Sequence, residues 1–175
     1  MRPNTKQHGF TLIEILVAVL VLSVGLLGIA GLQTKGTQHV YDAQLHTLAA
    51  IQVQDMADRI RANLEGMRDG RYNALSTTPP TNPSCDSDTC TPEQLAAYDM
   101  YRWNTDNGAL LPSGAGQIAC EDTSGTTLSN GTNADIGSRC TITVRWDANR
   151  NGATGLGCDP AKDTDLRCVR LSIVP

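Results

Sequence analysis

Histidine is missing from most of the chain, and its absence excludes several classes of enzyme. The three histidines are His8, His39 and His46, and none occurs between Gly66 and Pro175. This part of the chain therefore has no Ser-His-Asp or Cys-His nucleophile and no histidine-rich zinc site. The C-x-x-C spacing typical of zinc ribbons and thioredoxin-like redox motifs is also absent. We predict that the chain is not an enzyme and needs no cofactor.

Long basic runs and aromatic residues are scarce as well. The chain has 14 Lys and Arg against 18 Asp and Glu, which gives a formal net charge of −4. A protein that binds duplex nucleic acid by neutralising phosphates is therefore disfavoured, and we expect no nucleic-acid partner. Aromatic residues make up only 4% of the 175 residues, although 40% of them are hydrophobic. The composition is thus apolar enough for a core with few aromatic side chains.

What the chain does have is one long hydrophobic run, FTLIEILVAVLVLSVGLLGIAGL, from Phe10 to Leu32. Its uncharged part, Ile15 to Leu32, would span roughly 27 Å as a helix, enough to cross the hydrocarbon layer of a bilayer. This exceeds the ~7–15 residues typical of a cleavable secretory signal. Arg2 and Lys6 precede the run without an acid, so the positive-inside rule leaves them cytoplasmic. We expect a single membrane pass, with the rest of the chain on the other side.

Glu14 is the one charged residue in the hydrophobic run. A carboxylate inside an apolar span costs on the order of 3 kcal/mol on insertion scales, so it is normally paired or functional. One interpretation places Glu14 at the cytoplasmic interface, where it reaches water. The other requires a cation, and the next basic residue along the chain is Lys35. A new α-amino group at Phe10, made by a cut after Gly9, would supply that cation.

The segment Gly9-Phe10-Thr11-Leu12-Ile13-Glu14 resembles the processing motif of the type IV pilin superfamily. A short basic leader precedes it, and a long apolar segment follows. The resemblance implies that a prepilin peptidase cuts between Gly9 and Phe10 and methylates the new amino group. It also implies that Glu14 sets subunit register by facing a neighbour's N-terminus. The continuation LVAVLVLSVGLLGIAGLQ is similar to PilV-type minor pilins, which are associated with initiating or capping pili.

The resemblance carries implications for function and partners. It implies a minor pilin that takes part in pilus assembly, twitching motility and surface attachment. The partners would be the major pilin, other minor pilins and a tip adhesin, and the chain would reside in the bacterial inner membrane before it enters the pilus. Two alternatives stay open. A minor pseudopilin of a type II secretion system shares the same motif, and a periplasmic binding or enzymatic domain on an uncleaved anchor would share the membrane span.

Past the hydrophobic run, an amphipathic pattern continues the helix. Apolar residues recur at steps of three and four, and no proline occurs between Phe10 and Leu64, which predicts one helix of about 55 residues that ends near Gly66. We divide the chain into a cleaved leader (1–9), a membrane or filament-core half-helix (10–32), an amphipathic half-helix packed on the head (33–65) and a periplasmic head (66–175). Gly25, Gly28 and Gly31 favour either close helix packing or a segment that unwinds during assembly.

The head has fewer regular patterns. Residues 76–92 form an irregular connection, Pro92 to Trp103 a short helix capped by Thr91, and residues 109–137 a loop-rich stretch. Alternation at 140–147 and 168–173 predicts two strands that form an antiparallel pair. The fold class is therefore α+β: the helical spine of a pilin lollipop with a small antiparallel sheet in its head.

All six cysteines lie in the predicted head, and their even number in an outward-facing compartment predicts disulfides. Six cysteines allow 15 pairings, of which we favour the sequential one. The expected bonds are Cys85–Cys90, Cys120–Cys140 and Cys158–Cys168.

One metal-binding pattern competes with a simpler explanation. Asp147, Asn149, Asn151 and the following glycine match the opening of a calcium loop, D-x-[DN]-x-[DN]-G. The closing position, where glutamate should provide two oxygens, is Cys158. Asparagine and glycine also suit a surface turn, so we predict no metal and keep calcium as a weak candidate.

Overall fold

The computed structural model describes residues 9–73, 80–87, 89–121 and 138–174. Its elements are α1 (Leu12–Ala62), α2 (Leu64–Arg68), α3 (Pro92–Leu110), β1 (Ala115–Glu121), β2 (Arg139–Trp146) and β3 (Arg167–Ile173). A long N-terminal helix and a small antiparallel sheet make this an α+β fold, as predicted. The chain divides into two compact units, Met1–Asp42 and Ala43–Pro175.

Burial along α1 begins at Leu45, later than the sequence predicted. Residues 33–44 are all exposed, although we expected amphipathic packing from position 33. Most of these twelve residues are polar, and Val40 and Tyr41 alone do not form a stripe that repeats over several turns. The stripe is complete only from Leu45 onward, where apolar residues recur every three or four positions. These are Leu45, Ala49, Val53, Met56, Ala57 and Ile60.

The end of α1 is set by Asn63 rather than by Gly66. The Asn63 side chain accepts a hydrogen bond from the Gly66 amide at 3.1 Å and caps α2, so Gly66 lies inside that short helix. The Asn63 amide nitrogen also donates to the Pro92 carbonyl at 2.8 Å. A Cβ on Gly66 would collide with the Asn63 side chain and the Pro92 carbonyl. Glycine therefore permits a close approach here rather than stopping a helix.

Helix α3 begins at the predicted residue, Pro92, and ends seven residues beyond the predicted end at Trp103. Thr91 caps it through a capping box with Gln94, and Pro92 occupies the first turn. The helix continues past Trp103 to Leu110. Asn104 and Asn107 are buried in this extension, and Asn104 Oδ1 accepts a hydrogen bond from the backbone amide of residue 116 at 2.7 Å. Because these buried residues are polar, the hydrophobic periodicity could not reveal the last two turns.

The sheet has three antiparallel strands in the order β1-β2-β3. The predicted pairing of β2 with β3 is confirmed, with Ile142 opposite Leu171 and Val144 opposite Val169. Strand β1 was missed because it lies in the stretch predicted as loop. Its sequence AGQIACE alternates in burial but carries a single large aliphatic residue, Ile118. Residues 122–137 of that predicted loop, and residues 76–79 and 88 of the irregular connection, lie outside the described residues.

The core of the second unit lies between α1, α3 and one face of the sheet. Trp103 and Trp146 are its largest fully buried side chains, packed with aliphatic residues from all three strands. The indole nitrogen of Trp103 donates to the Gln52 carbonyl at 2.8 Å and so fastens α3 to α1. Its ring fills the space beside Gly116, where a Cβ would overlap the indole. A glycine in β1 is therefore required for the helix to approach the sheet.

A buried polar cluster joins α1, α3 and the segment between them. The Tyr72 hydroxyl donates to Asp99 Oδ2 at 2.5 Å, and Arg59 pairs with the other Asp99 oxygen at 3.2 Å. Arg59 also binds Asp55 at 2.8 Å, and the Asn63 amide donates to the Tyr72 oxygen. Burial raises the pKa of Tyr72 well above its usual value, and the hydrogen bond to Asp99 raises it further. The fold thus requires a neutral Tyr72.

We predict that Tyr72→Phe lowers the free energy of unfolding by about 1–2 kcal/mol, because Asp99 loses a buried donor. The same variant should lose less stability at alkaline pH. The raised pKa means that the contribution of Tyr72 is complete below its ordinary pKa of about 10 and is lost as the pH rises through the folded value. Urea unfolding of the full chain in detergent, at about pH 8 and pH 10.5, measures both effects. Tyr101→Phe, which changes a partly buried tyrosine of α3, is the matched control. Equal alkaline losses in wild type and Tyr72→Phe would contradict the prediction.

Candidate functional site

The segment from Gly9 to Ile15 contains the start of α1, which begins at Leu12. The Thr11 hydroxyl accepts a hydrogen bond from the Glu14 amide at 3.3 Å, and its carbonyl accepts from the Glu14 and Ile15 amides at 3.2 and 3.3 Å. Thr11 therefore acts as the N-cap, a role that we did not assign from the sequence. The signal was present, because Thr-x-x-Glu is the spacing of a capping box. The predicted cleavage point thus lies just outside the helix.

The Glu14 carboxylate is exposed on the first turn of α1. Among the residues that the structure describes, none donates a hydrogen bond to it or forms an ion pair with it. The positive end of the helix dipole favours a carboxylate at this position. Glu14 is therefore compatible with its helix and has no cationic partner within residues 9–73, 80–87, 89–121 and 138–174.

The apolar half of α1 presents hydrophobic side chains around its whole circumference. An 18-residue window is apolar enough to cross a membrane, and none of it is buried within the chain. The large side chains on it are between 52% and 80% exposed when Phe10 is included. Such a surface is unfavourable in water and is typical of a membrane span or a protein interface. This half of the helix fits membrane anchoring, followed by burial among other helices.

The glycines at 25, 28 and 31 lie within a continuous helix. A Cβ at any of the three would meet nothing within 4 Å. Each glycine weakens a helix interior by roughly 1 kcal/mol relative to alanine. Nothing in the described fold therefore requires glycine at these three positions, and a role in close helix packing or local unwinding stays a prediction.

Three disulfides tie the second unit together, and they join the cysteines in sequential order: Cys85–Cys90, Cys120–Cys140 and Cys158–Cys168. The buried pair Cys120 and Cys140 connects directly opposite residues of β1 and β2. Cys168 lies on β3, and its bond to Cys158 anchors the long loop between β2 and β3. The first bond closes a short loop immediately before α3. Each covalent link thus fixes a different part of the head.

The Asp147 segment forms a hydrogen-bonded turn. Its carboxylate accepts hydrogen bonds from the amides of Asn151 at 3.4 Å and Gly152 at 2.8 Å. Asn151 in turn accepts from the Ala153 amide and donates to the Asp163 carbonyl. Asn149 is an exposed residue of the turn. Within the described ranges, no group of three His, Cys, Asp or Glu residues is placed to hold a metal ion. These contacts account for the residues of the calcium-like pattern as turn residues.

We predict that peptide mapping under non-reducing conditions recovers the three sequential pairs. Replacing Cys120 and Cys140 together by alanine should lower the unfolding free energy by about 3 kcal/mol, and replacing Cys85 and Cys90 together should lower it by about 2 kcal/mol. The first effect is larger because the Cys120–Cys140 bond closes a longer loop than the Cys85–Cys90 bond. Urea unfolding of the full chain in detergent provides the comparison. A peptide that joins any other pair, or a free thiol in the oxidised protein, would disprove the pairing.

Two family models match the chain. One, described as a prokaryotic N-terminal methylation motif, matches residues 4–30, and the other, described as type IV pilin Tt1218, matches residues 31–101. The first includes Gly9, Phe10 and Glu14, and the second ends within α3. No curated protein and no solved structure matches the chain. The sheet and four of the six cysteines lie beyond both matched regions.

Proposed function

We propose that this chain, which belongs to the type IV pilins, is a minor pilin that takes part in the initiation of pilus assembly. Twitching motility and surface attachment would depend on it through the pilus. The family is structural rather than enzymatic, and we infer that the chain acts by assembly and not by catalysis. The observation that carries the proposal is the Glu14 carboxylate, which is exposed in an otherwise apolar half-helix, has no cationic partner among the described residues and lies in the matched methylation motif.

Processing would create a cation that can pair with the Glu14 carboxylate of another subunit. A prepilin peptidase would cut between Gly9 and Phe10 and methylate the new amino group, which remains a cation. This cation would lie one residue before the N-cap Thr11, where the positive end of the helix dipole disfavours it. A carboxylate from a second subunit would offset both the dipole and the apolar surroundings. The charge pair would therefore favour binding to another processed pilin.

The same pair would set the register of the filament. In an apolar core a charge without its partner is strongly destabilising. A subunit that is shifted along its neighbour would separate the two charges and so destabilise the assembly. The apolar side chains of α1 provide extensive contact but little directional information. We therefore assign attraction to the apolar surface and positional specificity to Glu14. Gly25, Gly28 and Gly31 would allow close helix packing or local unwinding as the subunit leaves the bilayer.

Before assembly, the subunit would be a single-pass protein of the inner membrane with its head in the periplasm. Arg2 and Lys6 favour a cytoplasmic leader, and three disulfides suit an oxidising compartment. Its partners would be the peptidase, the major pilin, other minor pilins and a tip adhesin. The minor-pilin role is supported by the PilV-like helix sequence.

We predict that the Glu14→Gln and Glu14→Ala variants are cleaved and methylated like the wild type. The amount of either variant in pili should be at least about tenfold lower than that of the wild type, because the amino group of the neighbouring subunit then has no carboxylate partner in the apolar core. Mass spectrometry of the membrane form should detect N-methyl-Phe10 in all variants, and quantitative blotting of sheared pili measures incorporation. Glu65→Gln, which changes an exposed glutamate in α2, is the matched control and should assemble normally.

Normal incorporation of both Glu14 variants would overturn the register role, and an intact Met1 in the membrane form would overturn the pilin role. A deletion strain separates the remaining alternative. Loss of twitching with normal exoprotein release supports the pilus, whereas the reverse result would assign the chain to a type II secretion system as a pseudopilin.

A further inference from the structure

The three disulfides of the head differ in their accessibility. Cys120 and Cys140 are 2% and 0% exposed, so a reagent in solution cannot reach their bond while the head is folded. The residues of the other two bonds, Cys85–Cys90 and Cys158–Cys168, are only partly buried. Thiol reagents can approach both of these bonds, and the groups beside each bond then decide how readily it reacts.

The Arg170 side chain lies against one sulfur of the Cys158–Cys168 bond. Its Nη2 is 3.3 Å from Cys158 Sγ, at an exposed position. Residues of β3 alternate between the core and the outer face, so Arg170 and Cys168 share the outer face. A guanidinium beside a sulfur stabilises the thiolate but gains little from the same sulfur in a disulfide, because only the thiolate is charged. Cys158 is therefore well placed to leave as a thiolate when the bond is broken.

The backbone at Cys158 also favours opening of this bond. Cys158 has a φ of 59°, in the left-handed region that residues other than glycine rarely adopt. The bond to Cys168 helps to hold it there, so cleavage would let residue 158 relax. The carboxylate of the next residue, Asp159, pairs with Lys162 at 3.8 Å, which weakens its repulsion of a thiolate at Cys158. A partly exposed bond under backbone strain belongs to the labile class of disulfides.

The Cys85–Cys90 bond offers an internal comparison, because its neighbours in the chain are acidic. Asp86 directly follows Cys85, and Asp88 lies inside the short loop that the bond closes. Carboxylates disfavour a second negative charge nearby, and a thiolate carries such a charge. The two accessible bonds therefore differ in the sign of the charge that a leaving thiolate would meet.

We propose that the Cys158–Cys168 bond is a thiol-exchange site, at which an external thiolate reversibly opens the loop between β2 and β3. The thiolate attacks Cys168 Sγ and forms a new S–S bond, and the electron pair of the broken bond leaves with Cys158 as a thiolate beside Arg170. A second external thiolate then attacks the reagent sulfur of the mixed disulfide and releases Cys168 as a thiolate. The two external thiols are oxidised to a disulfide, and the two cysteines are reduced and take up the protons that those thiols lose.

Opening the bond releases the tip of the loop and leaves its base in place. At the base, the Gly155 amide donates to the Thr164 carbonyl and the Leu166 amide donates to the Gly155 carbonyl, both at 2.9 Å. The Asn151 side chain donates to the Asp163 carbonyl at 3.0 Å. These hydrogen bonds involve neither cysteine, so the base of the loop keeps its contacts while residues 156–162 gain freedom. The exchange thus couples a redox step to one surface loop of the head.

The kinetic test adds dithiothreitol to the oxidised full chain in detergent micelles at neutral pH. Samples are alkylated with iodoacetamide at intervals, and peptide mapping gives the rate at which each bond is reduced in the same tube. We expect Cys158–Cys168 to open at least about fivefold faster than Cys85–Cys90, and the buried Cys120–Cys140 bond to open last. If Cys85–Cys90 opens as fast as Cys158–Cys168, the proposal is wrong.

Variants of Arg170 test whether its charge is the cause. Arg170→Gln should slow the opening of Cys158–Cys168 at least about fivefold, and Arg170→Lys, which keeps the charge, should restore most of the rate. Salt at about 1 M should reduce the difference between wild type and Arg170→Gln, because it screens exposed charges. Arg139→Gln, which changes an exposed arginine at the other end of the sheet, is the matched control and should react like the wild type. An unchanged rate in Arg170→Gln, or a loss that Arg170→Lys does not restore, would overturn the role of Arg170.

Glutathione identifies the sulfur that is attacked, because a monothiol leaves a mixed disulfide that can be mapped. We expect glutathione on Cys168 and an alkylated Cys158, and adducts mainly on Cys158 would overturn the assignment of the leaving sulfur. A C-x-x-C protein whose second cysteine is replaced by serine is tested at the same thiol concentration. A higher adduct yield with this protein assigns a protein dithiol as the reactant, and a higher yield with glutathione assigns a small thiol. No adduct on this cysteine pair with either reagent would overturn the proposal.

Hydrogen exchange tests the local release of the loop. After the Cys158–Cys168 bond has been reduced and alkylated, amide exchange should quicken at residues 156–162 and stay unchanged in β2 and β3. Faster exchange throughout the sheet would overturn the local release. None of these measurements needs a pilus, so their failure leaves the proposed function intact, and failure of the Glu14 experiments leaves them valid.

Discussion

The requirement to compensate one carboxylate on an apolar helix governs the N-terminal half of the molecule. Glu14 is exposed at the first turn of α1, and neither the apolar residues that follow nor any other described residue provides a cation. The surrounding side chains favour lipid or other apolar helices over water. Under the proposed function, attraction would come from a large and unspecific surface, whereas specificity would come from a single charge. This combination would let one helix serve in a fluid bilayer and also in an ordered assembly.

The head meets a different requirement, because it must be stable with few aromatic residues. Its core uses both tryptophans, and the two rings are fully buried. Three disulfides and the Tyr72–Asp99–Arg59 cluster add links between its segments. The cluster connects α1 to α3 one turn before Trp103, whose indole also donates a hydrogen bond to α1, so two neighbouring polar contacts join the helices.

Sequence reasoning succeeded where periodicity or local chemistry was strong. The long helix, the Thr91 cap and the strands β2 and β3 were predictable because the residues of each element have a clear periodic or capping pattern of their own. Strand β1 was not, since AGQIACE is recognisable as a strand only once Ile118 and Cys120 find their partners on β2. The site showed the same division. Glu14 stood out as a charge in an apolar run, whereas Arg145 looked like the polar member of an alternating strand, and only the fold reveals that it is buried.

The late start of burial along α1 has a consequence for the order of events in the life of the subunit. Every buried residue of that helix comes after the boundary at Asp42, so the head draws its core entirely from residues that follow the exposed polar stretch at 33–44. Its folding and oxidation can therefore be completed while the apolar residues are still in lipid. Extraction from the bilayer would then change only the surroundings of the first half of the helix. Under the proposed function, the subunit would enter an assembly with its head already folded.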